Sequence, residues 1–461
     1  GQHLDTSQQA AIVWTLMNAT GFPPNMGQDP PGYGDDRSTT EETQVGRRRP
    51  CRDGYVVFGI TPAGLGLRGV RNFLGWIQAE GALPDDWPEP DLDAWAAGVQ
   101  AVALEDILAA GAVVAPAVEA IDAFIASHTK AELFAGAVDH DFMLAPLYTA
   151  DEVAADPQLA VRNFWTEVDG ERYPGPFAKL TRTPIQIDRA APALGADQAL
   201  VEETRAPVAV RATTAGAARS QAFAGLKVAD FAWVGVGPLI SKALADHGAT
   251  VAHIESSTRP DVLRGGPPFK DGEPGLDRSQ FVANFNSSKL GVALNLATPE
   301  GLELAREVIA WADVVVESFT PGTLAKFGLD YESISAKRPE LVMLSTCLRG
   351  QTGPERTFAG FGLHGSCLAG LDQVTGWPDR RPSGTWGAYT DFIAPRFGIA
   401  ALTTALLHRE RTGQGQHVDL AQTEAGVHFA TPVVMDYLVN GRVAPPSGHR
   451  SATASPHGVF P

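Results

Sequence analysis

Between Leu226 and Cys347 short apolar runs alternate with amphipathic stretches. LKVADF from Leu226, TVAHIES from Thr250, GVALNL from Gly291, DVVVESF from Asp313 and LVMLSTC from Leu341 each read as a buried strand. GVGPLISKALADHGA between the first two reads as a turn and a helix ending at Gly248. Pro299 stands at the favoured first position of a helix running to Trp311, and Pro321–Phe327 reads as a further helix. This alternation predicts an α/β fold with an open parallel sheet covered by helices.

Upstream the pattern differs. Residues 7–20 carry apolar side chains at helical intervals, and Gln28–Arg49 is a polar, Gly- and Pro-rich loop. A strand is expected at Tyr55–Ile60 and amphipathic helices at Leu67–Ala79, Leu92–Ala110, Val118–Ser127 and Lys130–Val138. Together they predict a small α+β domain. Thr149–Asp156 reads as a short capped helix, Val161–Thr183 as strands and turns, and Pro207–Ala222 as a linker.

The chain repeats itself. Residues 1–27, GQHLDTSQQAAIVWTLMNATGFPPNMG, align without a gap on residues 415–441, GQHVDLAQTEAGVHFATPVVMDYLVNG. An offset of that size is the length of a whole protein unit rather than a solenoid repeat. The expectation is a tandem duplication showing the back of one unit and the front of the next. The parts are then 1–49 (connecting helix and loop of the first unit), 50–150 (its small domain), 151–206 (its return segment), 207–222 (linker), 223–414 (large domain of the second unit) and 415–461 (its connecting helix and loop). The chain opens at Gly1 rather than Met, so the native N-terminus is expected to lie elsewhere.

Composition narrows the function. At 44% hydrophobic and 19% charged residues the chain can bury ordinary cores. A formal net charge of −17 argues against non-specific nucleic-acid binding, which needs a basic surface. Three cysteines without short paired spacing fit a reducing cytoplasm better than a disulfide framework. The absence of a long apolar run predicts no membrane span.

Chemistry gathers at the predicted strand ends. Asp391, in GAYTDFIAPRFG, falls between a polar loop and the apolar run Phe392–His408. A carboxylate in a helix's first turn lies near free N–H groups and the positive end of the dipole, which favour its ionised form. It reads either as a capping acid or as a nucleophile. The turn Val234-Gly235-Val236-Gly237-Pro238 reads either as a plain βα turn or as an anion site, and it lacks the third glycine of a dinucleotide fingerprint. Ser318-Phe319-Thr320 ends another strand. Arg264, Lys270, Lys289, Lys326 and Arg349 lie near these loops as candidate phosphate cations. His364 and Cys367 form a solitary HxxC, which does not define a metal site.

As an ordered set, these motifs resemble the family III CoA-transferases, the CaiB/BaiF family that includes formyl-CoA transferase. The large-domain half is carried by LKVADFAWVGVGP, GATVAHIES, NSSKLGVALNLATPEG, ADVVVESFTPGTLAKFGLDYESI, QTGPERTFAGFG and TDFIAPRFGIAALTTALLHRERTGQGQHVDL. The small-domain half is carried by CRDGYVVF, YTADEVAADPQLAVRNFWTEV and YPGPFAKL. The resemblance implies a Rossmann-like large domain, a small α+β domain and an interlocked dimer. In a tandem chain that dimer becomes an intramolecular pseudo-dimer or a homodimer, with the small domain packed over the mouth that holds the aspartate. It implies Asp391 as nucleophile and a coenzyme A thioester as substrate, with no permanently bound cofactor and a carboxylic acid as acceptor. CoA is expected on Val234, Gly235, Val236, Leu294, Ala297, Ser318, Phe319, Thr320 and Phe361, with Arg264, Lys289 and Lys326 as cations. Ser256 stands where relatives often carry Arg, and Ala297 where Lys is common.

Two other readings stay open. An α-methylacyl-CoA racemase needs a second acid/base group, which would fall near Phe361; His364 is three residues away. A non-catalytic partner unit is the other.

Overall fold

The computed structural model describes residues 3–16, 19–29, 48–60, 64–98, 104–202, 221–451 and 453–460. Most of the expected linker and of the loop after Gln28 lie outside the described residues. The strands are β1 (Arg48–Cys51), β2 (Gly54–Phe58), β3 (Leu144–Pro146), β4 (Thr166–Val168), β5 (Glu171–Tyr173), β6 (Lys179–Leu180), β7 (Lys227–Phe231), β8 (Thr250–Glu255), β9 (Leu290–Ala293), β10 (Val314–Glu317), β11 (Val342–Cys347) and β12 (His417–Ala421).

Seven of them form one sheet in the order β6-β12-β11-β10-β7-β8-β9, parallel except for the antiparallel edge strand β6. The central strands are apolar on both faces because helices cover both. Val228, Val314, Val316, Val342 and Leu344 pack with Ile240, Leu244, Leu402 and Ala405. Their neighbours Ala229, Val315 and Met343 point the other way, onto Ala305, Ile309, Leu324 and Leu329. That period-two division is what a parallel sheet between two helical layers requires.

Two strands lie outside the expected large-domain span. β12 falls in the stretch read as connecting helix and loop, yet it pairs β11 over five residues. β6 comes from the return segment and closes the edge against β12. β6 falls within the stretch read as strands and turns, and β12 mixes His and Asp into its five residues. Other boundaries also differ: Leu92–Gly98 and Leu104–Ser127 are separate helices, and the second runs on through Pro116 to absorb Val118–Ser127. Pro321–Phe327 is a turn followed by a 3-10 turn at Leu324–Phe327.

The small unit is the antiparallel sheet β1-β2-β3 against the helices Gly64–Ala79, Leu104–Ser127 and Lys130–Asp139. Phe73 stacks on Phe142 at 4.5 Å and meets Phe58 edge-on at 5.1 Å. Thr129 and Glu132 form a reciprocal capping box at the start of the last helix. This core continues without a break into Leu348, Phe358, Cys367 and Leu368 of the following unit. Tyr148 N–H donates to Cys367 O at 3.1 Å, and the buried pair Arg48–Asp372 closes at 2.7 Å. The small unit therefore docks on the helix Gly362–Leu368.

Buried ion pairs tie the return segment to the large sheet. Arg349 grips Asp156 with 2.7 and 2.8 Å contacts, and Arg162 reaches Glu424 at 2.5 Å and Asp419 at 2.9 Å. These pairs lie largely away from water, where geometry decides whether a charge is tolerated.

Candidate active site

Asp391 is the second residue of the helix Thr390–Thr412 and is 4% exposed. The helix starts beside the turn that follows β7, where Gly235 meets Asp391, and further along Gly398 packs on Ile240 and Leu420. Two glycines let backbone reach the carboxylate. A Cβ on Gly235 would lie 2.8 Å from Asp391 Cγ, and one on Gly362 would lie 2.7 Å from it. The Gly362 backbone lies against the carboxylate and lowers its pKa somewhat. Thr390 Oγ1 contacts Gly362 O at 2.9 Å and Gln422 Oε1 at 3.2 Å, so the two helix starts are locked together. Pro395 follows four residues after Asp391 and brings no N–H back to its carbonyl.

Burial pushes the Asp391 pKa up to about 7, and the Gly362 backbone only partly opposes it. The expectation that the helix start favours the ionised form is thus overturned. Loss of water around the carboxylate outweighs the dipole. A carboxylate in this state is more basic than usual, and is poorly solvated when ionised.

The turn before it is strained. Val234 has φ 67°, a conformation that a β-branched residue rarely adopts. It is held by its N–H donating to Asp261 Oδ2 at 2.9 Å. Asp261 is itself buried and also accepts from Leu263 N–H at 2.9 Å. Trp233 N–H donates to Ser318 Oγ at 2.9 Å, and Ser318 Oγ–H returns to Trp233 O at 3.1 Å. Strain kept in place by several contacts is typical of ligand loops.

Other candidate residues divide into two sets. Val234, Gly235, Val236 and Ser318 meet around Asp391's helix, with Phe319 packed edge-on to Trp233 at 5.7 Å. Phe361 precedes Gly362, and its N–H donates to His364 Nδ1 at 3.0 Å. Leu294 hangs on Glu255 O at 2.8 Å, while Ala297, Thr320 and Lys326 are exposed. Arg264 is held by Glu255 at 2.7 Å and Asp277 at 2.8 Å. Lys289 does not face the mouth: its side chain is 1% exposed and its Nζ sits 2.8 Å from Asp230, inside the sheet layer, because a buried carboxylate needs a cation.

His364 and Cys367 go separate ways. His364 Nδ1 accepts from Phe361, and its Nε2 lies 3.3 Å from Met143 O of the small unit. Cys367 lies in the shared core. Among the described residues, His253, Glu255 and Asp261 have a metal-ligand composition. Each is already engaged: His253 by Asp230, Glu255 by Arg264, Asp261 by two backbone N–H groups.

Sequence reasoning missed Gly362, Gln422 and Asp261. Only the glycine spacing in AGFG hinted at a close backbone approach.

A buried carboxylate between two glycine turns sits beside the turn that follows β7, and strand ends of parallel sheets are where α/β folds commonly hold ligands. The chain matches the model of CoA-transferase family III over residues 1–198 and 223–461 and belongs to that family. It is 35% identical over 245 residues to a succinate–glutarate CoA-transferase of Agrobacterium fabrum, covering 53% of this chain and 61% of that protein. It is 32% identical over 227 residues to a succinyl-CoA–D-citramalate CoA-transferase of Chloroflexus aurantiacus, covering 49% of this chain and 55% of the relative. A solved CaiB/BaiF family protein from Brucella suis is 35% identical, covering 51% of this chain and 62% of that one, with a TM-score of 0.48. The chain thus spans less than two thirds of the length of these relatives. No helix among the described residues is long and apolar enough to cross a membrane.

Proposed function

We propose that this chain moves CoA from an acyl-CoA donor to a carboxylic acid, with Asp391 as the nucleophile. The supporting observation is the buried Asp391 carboxylate pressed between Gly235 and Gly362. Its oxygen attacks the thioester carbonyl, forming an acyl–aspartyl anhydride and releasing CoA thiolate. The thiolate then attacks the aspartyl carbonyl, leaving an aspartyl–CoA thioester and a free carboxylate. The acceptor carboxylate attacks that thioester, forming a second anhydride and releasing CoA thiolate, which then attacks the acceptor's carbonyl to give the new acyl-CoA and the free Asp391 carboxylate. Each step trades one activated acyl for another, so no nucleotide or metal enters the balance.

Gly362 has a definite part in this. Its backbone lies against the Asp391 carboxylate, so it stands near where negative charge collects when thiolate adds to the aspartyl carbonyl. CoA is assigned to the turn Val234–Val236, to Leu294–Ala297 and to Ser318–Thr320, with Lys326 as the exposed cation. The named relatives pair succinyl-CoA with short dicarboxylic acids, so a short dicarboxylate is the first acceptor to test. The small unit of the first copy completes the site over the Gly362–Leu368 helix, as an intramolecular counterpart of an interlocked dimer.

A racemase needs a second proton carrier beside Asp391. His364 has one nitrogen on Phe361 and the other facing Met143, which disfavours that reading. The test is acyl-CoA with and without an acceptor acid in deuterated water. Acceptor-dependent CoA exchange supports the transferase. Acceptor-independent deuterium uptake at the α-carbon would establish the racemase instead.

A further inference from the structure

The turn beside Asp391 is packed by a side chain from the first repeat copy. The helix Gln8–Trp14 is capped by Ser7 and largely exposed, with Ile12 64% exposed. Trp14 at its end turns inward. With Val234 and Phe281 it packs on the cluster Leu239, Leu263, Val282 and Phe285. The Arg396 guanidinium lies 4.4 Å from its ring centroid, and Arg396 is on the same helix as Asp391. Phe22, which follows, is 2% exposed, and Gly21 packs against Gln280. The aligned position in the second copy, His428, is engaged elsewhere, with its Nδ1 paired to Gly175 O at 2.9 Å.

We infer that Trp14 is a positioning residue for the CoA turn of the second unit, holding Val234 in its left-handed conformation from across the repeat boundary. The physical argument is one of opposing costs. A β-branched residue at φ 67° is strained, and such strain persists only where surroundings over-determine it. Asp261 fixes the Val234 N–H, but a single hydrogen bond leaves the side chain free to swing. The cluster shared with Trp14 fixes the side chain. Leu263 belongs to that cluster and also donates its N–H to Asp261, so the ring supports both anchors. The Trp14 Nε1–H has no hydrogen-bond partner among the described residues, so the tryptophan serves through its ring rather than its N–H.

This inference rests on the CoA-transferase reading, and the test keeps the two apart. Free CoA is titrated calorimetrically into the whole chain, alongside Trp14→Ala, Trp14→Phe and Ile12→Ala, each checked for a cooperative thermal transition. Trp14→Ala is expected to weaken CoA binding about tenfold. Trp14→Phe, which keeps a ring, stays within about twofold of the parent, and so does Ile12→Ala on the exposed face. Should Trp14→Ala fail to fold, Trp14→Leu replaces it with the same expected loss. Unchanged binding by the alanine or leucine variant overturns the inference alone. So does a loss in Ile12→Ala or Trp14→Phe as large as that in Trp14→Ala. A parent chain that takes up no CoA overturns the placement of CoA and this inference together.

Discussion

Gly362 and Asp391 touch through backbone and carboxylate, with no room for a methyl group between them. Gly362→Ala must therefore displace the carboxylate or the helix that carries Gly362. Overpacking of this kind costs about 1–3 kcal/mol of stability. The loss of transfer should be larger, about 100-fold or more, because backbone beside the developing oxyanion moves as well. Steady-state kinetics beside a denaturant titration checks this; activity within about threefold of the parent would remove Gly362 from the mechanism.

Transfer should depend on pH near neutrality. The nucleophile is the ionised form of Asp391, whose pKa is pushed up to about 7. The rate of the first acyl transfer should rise with pH through about 7 and then level. An aspartate at its ordinary value would give a flat profile from about pH 5 to 8. Glu317, buried and also pushed up to about 7, is the group to exclude, and Glu317→Gln should leave the inflection in place.

The same shift sets a stability trend. The folded state holds the Asp391 proton more tightly than the unfolded chain does. The Asp391 contribution to stability is therefore greatest below pH ~4 and falls as pH rises to about 7, by roughly 4 kcal/mol. Asp391→Asn removes that loss. Relative to the parent, the variant should gain stability at about pH 8 compared with about pH 4, while transfer is abolished. Urea melts at both pH values give the comparison, and a constant difference between the two proteins would mean the carboxylate is not desolvated.

Lys326 is the exposed cation assigned to CoA. Lys326→Glu should weaken CoA binding several-fold, and added salt should shrink the difference because an exposed charge is screened. An equal dissociation constant in the two proteins would move the phosphate site elsewhere.

Arg349 is buried against Asp156 and Glu355. Arg349→Met leaves two buried acids without their cation, which should cost about 3–5 kcal/mol. A loss below about 1 kcal/mol in a denaturant melt would show that water reaches those acids.

The parallel sheet was legible because its central strands are buried on both faces, so Val314–Glu317 and Val342–Cys347 stand out as apolar runs. β6 and β12 were not: Lys179–Leu180 has two residues, and His417–Ala421 mixes His and Asp into its strand. The place of Asp391 before an apolar run left it open between capping acid and nucleophile, and the family resemblance singled it out as nucleophile. Its ionisation was misjudged because burial comes from Gly235 and Gly362, distant in sequence. Lys289 looked like a loop cation, and only the position of Asp230 on a neighbouring strand shows where its charge goes. Trp14 carried no signal, since its partners lie more than two hundred residues away.

The most direct test of the account is chemical trapping at Asp391. The whole chain is incubated with an acyl-CoA and hydroxylamine, digested, and mapped by mass spectrometry. The account predicts a hydroxamate on Asp391, formed only when acyl-CoA is present and absent from Asp391→Asn. Acceptor-dependent transfer with Asp391 unmodified, or with the hydroxamate on another carboxylate, would contradict it.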